Sequence, residues 1–123
     1  MSLKILHNPR CSKSRQTLEI INSKSISVEV IEYLKTPLKY DDLFKIIKLL
    51  DVNPRDIIRK SESIYKEKNL ENDKFTDEEL TKYMVENPIL IERPIVFDDN
   101  LAIIGRPPEN VLKIIKWIKK IKK

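Results

Sequence analysis

The one cysteine of this 123-residue chain, Cys11, stands in a segment crowded with cations: Arg10 precedes it, and Lys13 and Arg15 follow. A thiol acts as a nucleophile through its thiolate. A loop leading from a strand into a helix sets a sulfur at the helix N-terminus, where free N–H groups and the macrodipole favour that anion. Nearby positive charge from Arg10, Lys13 and Arg15 is expected to lower the thiol pKa further. A lone intracellular cysteine is otherwise a small buried hydrophobe, an alternative that these polar, basic surroundings disfavour. With a single cysteine and a single histidine, His7, the chain excludes an intrachain disulfide, a Cys-x-x-Cys redox pair and a Cys/His zinc site, and no metal site is expected. Cys11 must act without a partner cysteine of its own.

Arginine usage points to the rest of the site. The chain holds 18 lysines and only six arginines, so a position that keeps arginine is a candidate for work needing a planar, bidentate fork. Arg10 and Arg15 flank Cys11. Arg59, Arg93 and Arg106 each fall at the end of an expected element, the last two on either side of an expected hairpin. Three forks converging near a thiolate would bind a tetrahedral oxyanion; each could equally cap a carboxylate or a carbonyl.

The elements that must position these residues follow from the hydrophobic pattern. Leu3–His7 is a short apolar strand ending at Asn8-Pro9. A helix follows with Ser14 as its expected cap and Leu18 and Ile21 inward. Ser27–Leu34, rich in β-branched and aromatic residues, is a second strand, parallel to the first through a right-handed crossover. Beyond Pro37, Leu43, Ile46, Ile47 and Leu50 mark a helix, and Asn53-Pro54 starts a short one that ends near Arg59. Ser61–Lys74 is polar and without period. Thr76 and Glu79 form a capping box ahead of Leu80, Tyr83 and Met84. Ile95–Phe97 and Ala102–Ile104 flank the turn residues Asp98–Leu101, a hairpin. Pro107-Pro108 opens a last helix with Val111, Ile114, Ile115 and Ile118 inward. This order, β-α-β, a helical insertion, then β-β-α, fits an α/β, thioredoxin-like four-stranded mixed sheet, although other small α/β folds also admit it. Residues 1–123 are read as a single domain.

Composition removes several classes of function. Glycine occurs once, at Gly105, where average usage of roughly 7% would give about nine, so no glycine-rich phosphate cradle exists. The net charge of +5 sits in the tail: residues 113–123 carry six lysines and no acid, leaving 18 basic against 19 acidic groups in residues 1–112. The lysine-rich end of the last helix could contact nucleic acid or a membrane surface. Its lysines 113, 116, 120 and 123 lie opposite the inward isoleucines, however, which favours a solvated face. Neither a nucleic-acid nor a membrane partner is expected, and with no signal peptide or membrane span in view the expected location is cytoplasmic.

His7-Asn8-Pro9-Arg10-Cys11-Ser12-Lys13-Ser14-Arg15, Asn87-Pro88-Ile89-Leu90-Ile91-Glu92-Arg93-Pro94-Ile95 and Gly105-Arg106-Pro107 together resemble the glutaredoxin-linked arsenate reductases of the ArsC/Spx-like superfamily, over nearly the whole chain. The resemblance implies a thioredoxin-like fold and a Cys11 thiolate that attacks arsenate. It assigns Arg59, Arg93 and Arg106 to the oxyanion and the thiolate, and His7 to an assisting role found in some members. It also places Ser12, Lys13 and Ser14 in the substrate-binding loop. Pro94 resembles the proline that faces the cysteine in such folds, so the Arg93-Pro94 bond is expected to be cis. No bound cofactor is implied; glutathione is the expected co-substrate and glutaredoxin the expected protein partner, since one cysteine cannot supply both electrons. An internal three-cysteine relay is excluded, as is a phosphatase loop, because Thr17 and not arginine stands six residues after Cys11.

Two other readings stay open. The Arg-Pro-Ile signature also occurs in Spx-like regulators that bind RNA polymerase, although here Ser14 occupies the second position of their Cys-x-x-Cys pair. A thiol reductase acting on a substrate other than arsenate is the third reading.

Overall fold

Leu3–Leu6 (β1) is the strand on which the sheet is assembled. In the computed structural model, which describes residues 3–121 apart from the side chain of Ile121, β1 pairs in parallel with Val28–Ile31 (β2) and antiparallel with Ile95–Phe97 (β3). β3 in turn pairs antiparallel with Ala102–Ile104 (β4). The order β2-β1-β3-β4 is the thioredoxin-like mixed sheet expected from the pattern of elements. Between its halves come Tyr40–Leu50 (α2), Pro54–Ile57 (α3), Ser63–Glu67 (α4) and Asp77–Glu86 (α5); Ser12–Ser23 (α1) joins β1 to β2, and Val111–Ile121 (α6) ends the described chain. Lys122 and Lys123 of the lysine-rich end lie outside the described residues.

The chain forms two compact units: one takes in the residues up to Tyr33 and from Arg93 onward, the other is the insertion Leu34–Glu92. In the first, Leu3 and Ile5 of β1, Val96 of β3, Ile21 of α1 and Val111, Ile114, Ile115 and Ile118 of α6 make one buried cluster. The i, i+3, i+4, i+7 spacing in α6 lays its four residues on the sheet side, each such burial contributing about 1.5–3 kcal/mol, while Lys113, Lys116, Lys119 and Lys120 stay exposed. The hairpin turn is fixed by buried Asp98, whose Oδ1 accepts from the N–H groups of Asn100 (2.7 Å) and Leu101 (2.8 Å).

In the insertion, Leu43, Ile46 and Ile47 of α2 and Leu80, Thr81 and Met84 of α5 are buried, and both start signals read from sequence are made. Asn53 Oδ1 accepts from Arg55 N–H at 2.9 Å, and Thr76 Oγ1 accepts from Glu79 N–H at 3.1 Å. Polar Ser61–Lys74 nonetheless contains α4, with Tyr65 and Leu70 buried. A helix of one turn is too short to show a period. Leu50, expected inward, is only half-buried beside Asp51, which ends α2 in the left-handed conformation (φ 56°).

Two boundaries differ from expectation. The second strand is Val28–Ile31 and not Ser27–Leu34, because β1 offers only four residues to pair with it. The cap of α1 is Cys11 and not Ser14: Cys11 has extended φ/ψ (−94°, 122°) and its carbonyl accepts from Arg15 N–H at 3.0 Å. Ser14 therefore lies within the first turn, buried with Thr17 and Ile21, while Leu18 is half-buried.

Candidate active site

The turn after β1 determines where the sulfur goes. Asn8 closes it from both ends, its carbonyl accepting from Cys11 N–H (3.0 Å) and its Oδ1 from Arg10 N–H (3.0 Å). Asn8 N–H in turn donates to Ser14 Oγ at 3.1 Å, tying the turn to the first turn of α1. Cys11 thus becomes the N-cap residue with its half-buried thiol facing the open N–H groups of the helix.

From the hairpin come the guanidinium groups. Arg106 Nη2 donates to Cys11 Sγ at 3.6 Å, and its Nε donates to the carbonyl of Arg93 at 2.7 Å, so Arg93 holds Arg106 in place. Asn110 Nδ2 donates to the Arg106 carbonyl at 2.9 Å. The Arg93 side chain also acts directly on the sulfur. Burial alone would raise the Cys11 pKa, yet it is lowered, because the backbone N–H of Ser14, the Arg93 guanidinium and the backbone N–H of Lys13 favour the thiolate, and the Arg93 charge adds to them. The guanidinium groups at the sulfur, those of Arg93 and Arg106, come from the other end of the chain, and Lys13 contributes through its backbone N–H.

Gly105 lets the two arginine-bearing segments close. Its N–H donates to the Pro94 carbonyl at 2.9 Å, and a Cβ there would lie 2.6 Å from Thr17 Oγ1, 2.8 Å from Pro94 Cγ and 3.0 Å from Thr17 Cγ2. Only glycine fits that approach. Pro94 is buried, and the Arg93-Pro94 bond is cis, as expected; Arg106-Pro107, for which no such expectation was formed, is cis as well. Thr17 and Asn110 are the supporting residues that sequence reasoning missed. A β-branched polar residue nearly two turns beyond the cysteine is the available signal for Thr17.

His7 reaches the site through Ser14. Its Nδ1 lies 2.7 Å from Ser14 Oγ, in a buried setting. Since Ser14 Oγ already accepts from Asn8, its hydroxyl proton is free to go to Nδ1 of a neutral imidazole. Burial lowers the His7 pKa against the raising charge of Glu32, with Arg15 lowering it further, which agrees with that neutral form. Ser12 and Lys13 are exposed at the start of α1. Arg59 belongs to the insertion, where Nε meets Glu62 Oε2 at 3.2 Å and Nη1 meets Glu92 Oε1 at 3.3 Å. The structure therefore brings together Cys11, Ser14, Lys13, Arg93 and Arg106, places His7 one residue behind them, and shows Arg59 engaged by carboxylates.

Residues 6–114 match the ArsC family, a span that includes every one of these positions. The chain belongs to the ArsC family. Among relatives, an Escherichia coli (strain K12) protein described as uncharacterized, YfgD, is 46% identical over 114 residues, 92% of this chain and 96% of that protein. An arsenate reductase of Escherichia coli is 43% identical over 114 residues, 93% of this chain and 81% of the enzyme. The solved structure of an arsenate reductase from Vibrio cholerae matches with a TM-score of 0.89 at 44% identity, covering 93% of this chain and 98% of that one. The thioredoxin-like sheet, the cysteine turn and the Arg-Pro pair are thus features of an ArsC family chain. Among the described residues no helix is long and apolar enough to cross a membrane, and no three His, Cys, Asp or Glu side chains cluster as a metal site would require.

Proposed function

We propose that the chain is an arsenate reductase that works through a Cys11–arsenate adduct resolved by an external thiol. The observation that carries this reading is a sulfur at a helix N-cap with its pKa lowered and a guanidinium Nη2 at 3.6 Å. Thiolate and arsenate are both anions, and at about 4 Å their repulsion amounts to roughly 4 kcal/mol at an effective dielectric near 20. Arg93 and Arg106 offset that term and present forks suited to a tetrahedral oxyanion. Arg59 joins them by resemblance alone, and Ser12, Lys13 and Ser14 line the loop that the oxyanion meets.

In the first step Cys11 Sγ bonds to arsenic and a hydroxyl leaves as water, with no change of oxidation state. In the second, a thiol gives up its proton and forms a disulfide with Cys11 while the arsenic–sulfur bond breaks. The two sulfurs together lose two electrons, arsenic passes from the +5 to the +3 state, and arsenite leaves with the proton. Glutathione is the thiol of this reading. A glutaredoxin then takes the glutathionyl group by disulfide exchange, returning Cys11 to the thiol. Such steps suit a cytoplasmic protein, since small thiols are kept reduced there.

Arsenite release from arsenate tests the reading. It should occur with glutathione and glutaredoxin together and not with arsenate alone, and repeated turnover with thioredoxin as the only thiol would overthrow it. Ser14, bonded to His7 where a second redox cysteine would stand, weighs against a disulfide-switched regulator. Absence of turnover with any thiol, together with capture of RNA polymerase, would establish that alternative.

A further inference from the structure

The six arginines of the chain divide by task, and two are left over. Arg93 and Arg106 turn to the sulfur, Arg59 holds Glu62 and Glu92, and Arg55 Nη1 donates to the Leu70 carbonyl at 3.0 Å inside the insertion. Arg10 and Arg15 remain, both exposed, one immediately before Cys11 and one at the first turn of α1. Arg15 folds its Nη1 back onto the Pro9 carbonyl at 2.9 Å, which holds the guanidinium over the cysteine turn. Among the described residues neither is paired with a carboxylate, not even Arg15 with Glu19 one turn along the helix. Lys13, exposed on the same turn, adds a third cation.

We propose that Arg10 and Arg15 dock the carboxylates of the incoming thiol, so that the site selects an anionic, peptide-like thiol over a neutral one. The inference rests on the thiol-dependent reading above and names its co-substrate class. A thiol must approach an adduct that still carries the arsenate charge, and a thiol bearing carboxylates is repelled more strongly than a neutral one unless cations at the mouth reverse the sign. Arg10, on the turn that Asn8 holds with three hydrogen bonds, and Arg15, on the first turn of α1 and tied back to Pro9, supply them, as forks that match carboxylate geometry. A neutral thiol gains nothing from them.

The test compares glutathione, its diethyl ester and 2-mercaptoethanol as thiols with the Arg10→Gln, Arg15→Gln double variant and the parent chain. The variant should raise KM for glutathione about tenfold and leave the ester and 2-mercaptoethanol within about twofold, since each exposed ion pair is worth at most about a fivefold factor. High salt should shrink the parent's preference for glutathione over the ester. Equal effects on all three thiols, or none, would overturn the proposal. A second measurement needs no arsenate: Cys11 attacks oxidised glutathione, forming the mixed disulfide and releasing one glutathione thiolate, or attacks bis(2-hydroxyethyl) disulfide in the same way. The ratio of the two rates cancels any change in thiolate fraction. It should fall in the double variant, and an unchanged ratio would refute carboxylate docking even if arsenate proves not to be the substrate.

Discussion

Replacing Gly105 by alanine puts the tightest contact of the site to the test. Gly105 does not have a left-handed backbone, so an added methyl costs only what its neighbours impose. Those neighbours are Thr17 Oγ1 at 2.6 Å, Pro94 Cγ at 2.8 Å and Thr17 Cγ2 at 3.0 Å, all well inside van der Waals separation, and Thr17 and Pro94 are both buried. Overpacking of this kind costs about 1–3 kcal/mol, which for a chain of this size lowers Tm by roughly 4–12 °C. Thr17→Ala alone should cost about 1 kcal/mol, through loss of the hydroxyl bonds to the carbonyls of Lys13 (2.8 Å) and Gly105 (3.4 Å). The double variant removes two of the three clashes, so it should be more stable than the sum of the singles by about 1 kcal/mol or more. Urea and thermal unfolding of the four proteins measure that coupling. Strict additivity would show that the approach of Gly105 to Thr17 is not tight. Gly105→Ala should also reduce turnover by about a hundredfold, because it displaces the neighbouring Arg106 from the sulfur. Full activity in a destabilised variant would separate the packing role from the positioning one.

The alkylation rate of Cys11 should inflect with pH below the range of a free cysteine, and Cys11→Ser should keep the fold but lose all turnover; an inflection at the free-thiol value would contradict the N-cap and Arg93 account. Arg93→Lys and Arg106→Lys should each lose most activity although charge is kept, and arsenate reduction at parental rate in both would rule out a bidentate role. For His7, the lowered folded-state pKa means that on acidification below about 6.5 the unfolded chain takes up the proton first, so stability should fall as pH drops through that window toward the folded pKa. His7→Gln should flatten the slope in urea titrations, and an equal slope in both proteins would assign it to other groups. Arg59→Ala should raise KM for arsenate if the guanidinium binds the oxyanion, whereas a lowered Tm with unchanged KM would mark it as the partner of Glu62 and Glu92 only.

Much of this arrangement could be read from residue pattern, and the misses share a cause. α6 is legible because its buried face has a clean period, as Val111, Ile114, Ile115 and Ile118 show, and the strands because each is a short apolar, largely β-branched run bounded by turn residues. Arg93 and Arg106 could be paired in advance because a hairpin necessarily brings its two ends together. The cap of α1 was misassigned because serine is the better cap former by propensity, whereas the turn closed by Asn8 fixes Cys11 there first. Proximity in sequence is also an incomplete guide: Arg10, Lys13 and Arg15 are the cations nearest Cys11 along the chain, but the guanidinium groups at the sulfur are those of Arg93 and Arg106, the second of them 95 positions away. Long-range contacts of this kind have no local signature.

The mixed origin of the donors to the sulfur bears on how one set of arginines could serve two anions. If Arg93 and Arg106 alone held the thiolate, binding arsenate would draw away the charge that keeps the nucleophile ionised. The N–H groups of Ser14 and Lys13 are fixed in the first turn of α1 and cannot follow the substrate. In the proposed reaction they would keep part of the stabilisation on the sulfur while the guanidinium forks turn to the oxyanion. In the proposed reaction backbone donors would hold the nucleophile while side-chain donors recruit the substrate, and that division makes Ser14 a hub: its N–H favours the Cys11 thiolate, its hydroxyl serves His7, and its Oγ fixes Asn8. A change at Ser14 that left the backbone in place would disturb the turn and the histidine while sparing the helix donors to the sulfur.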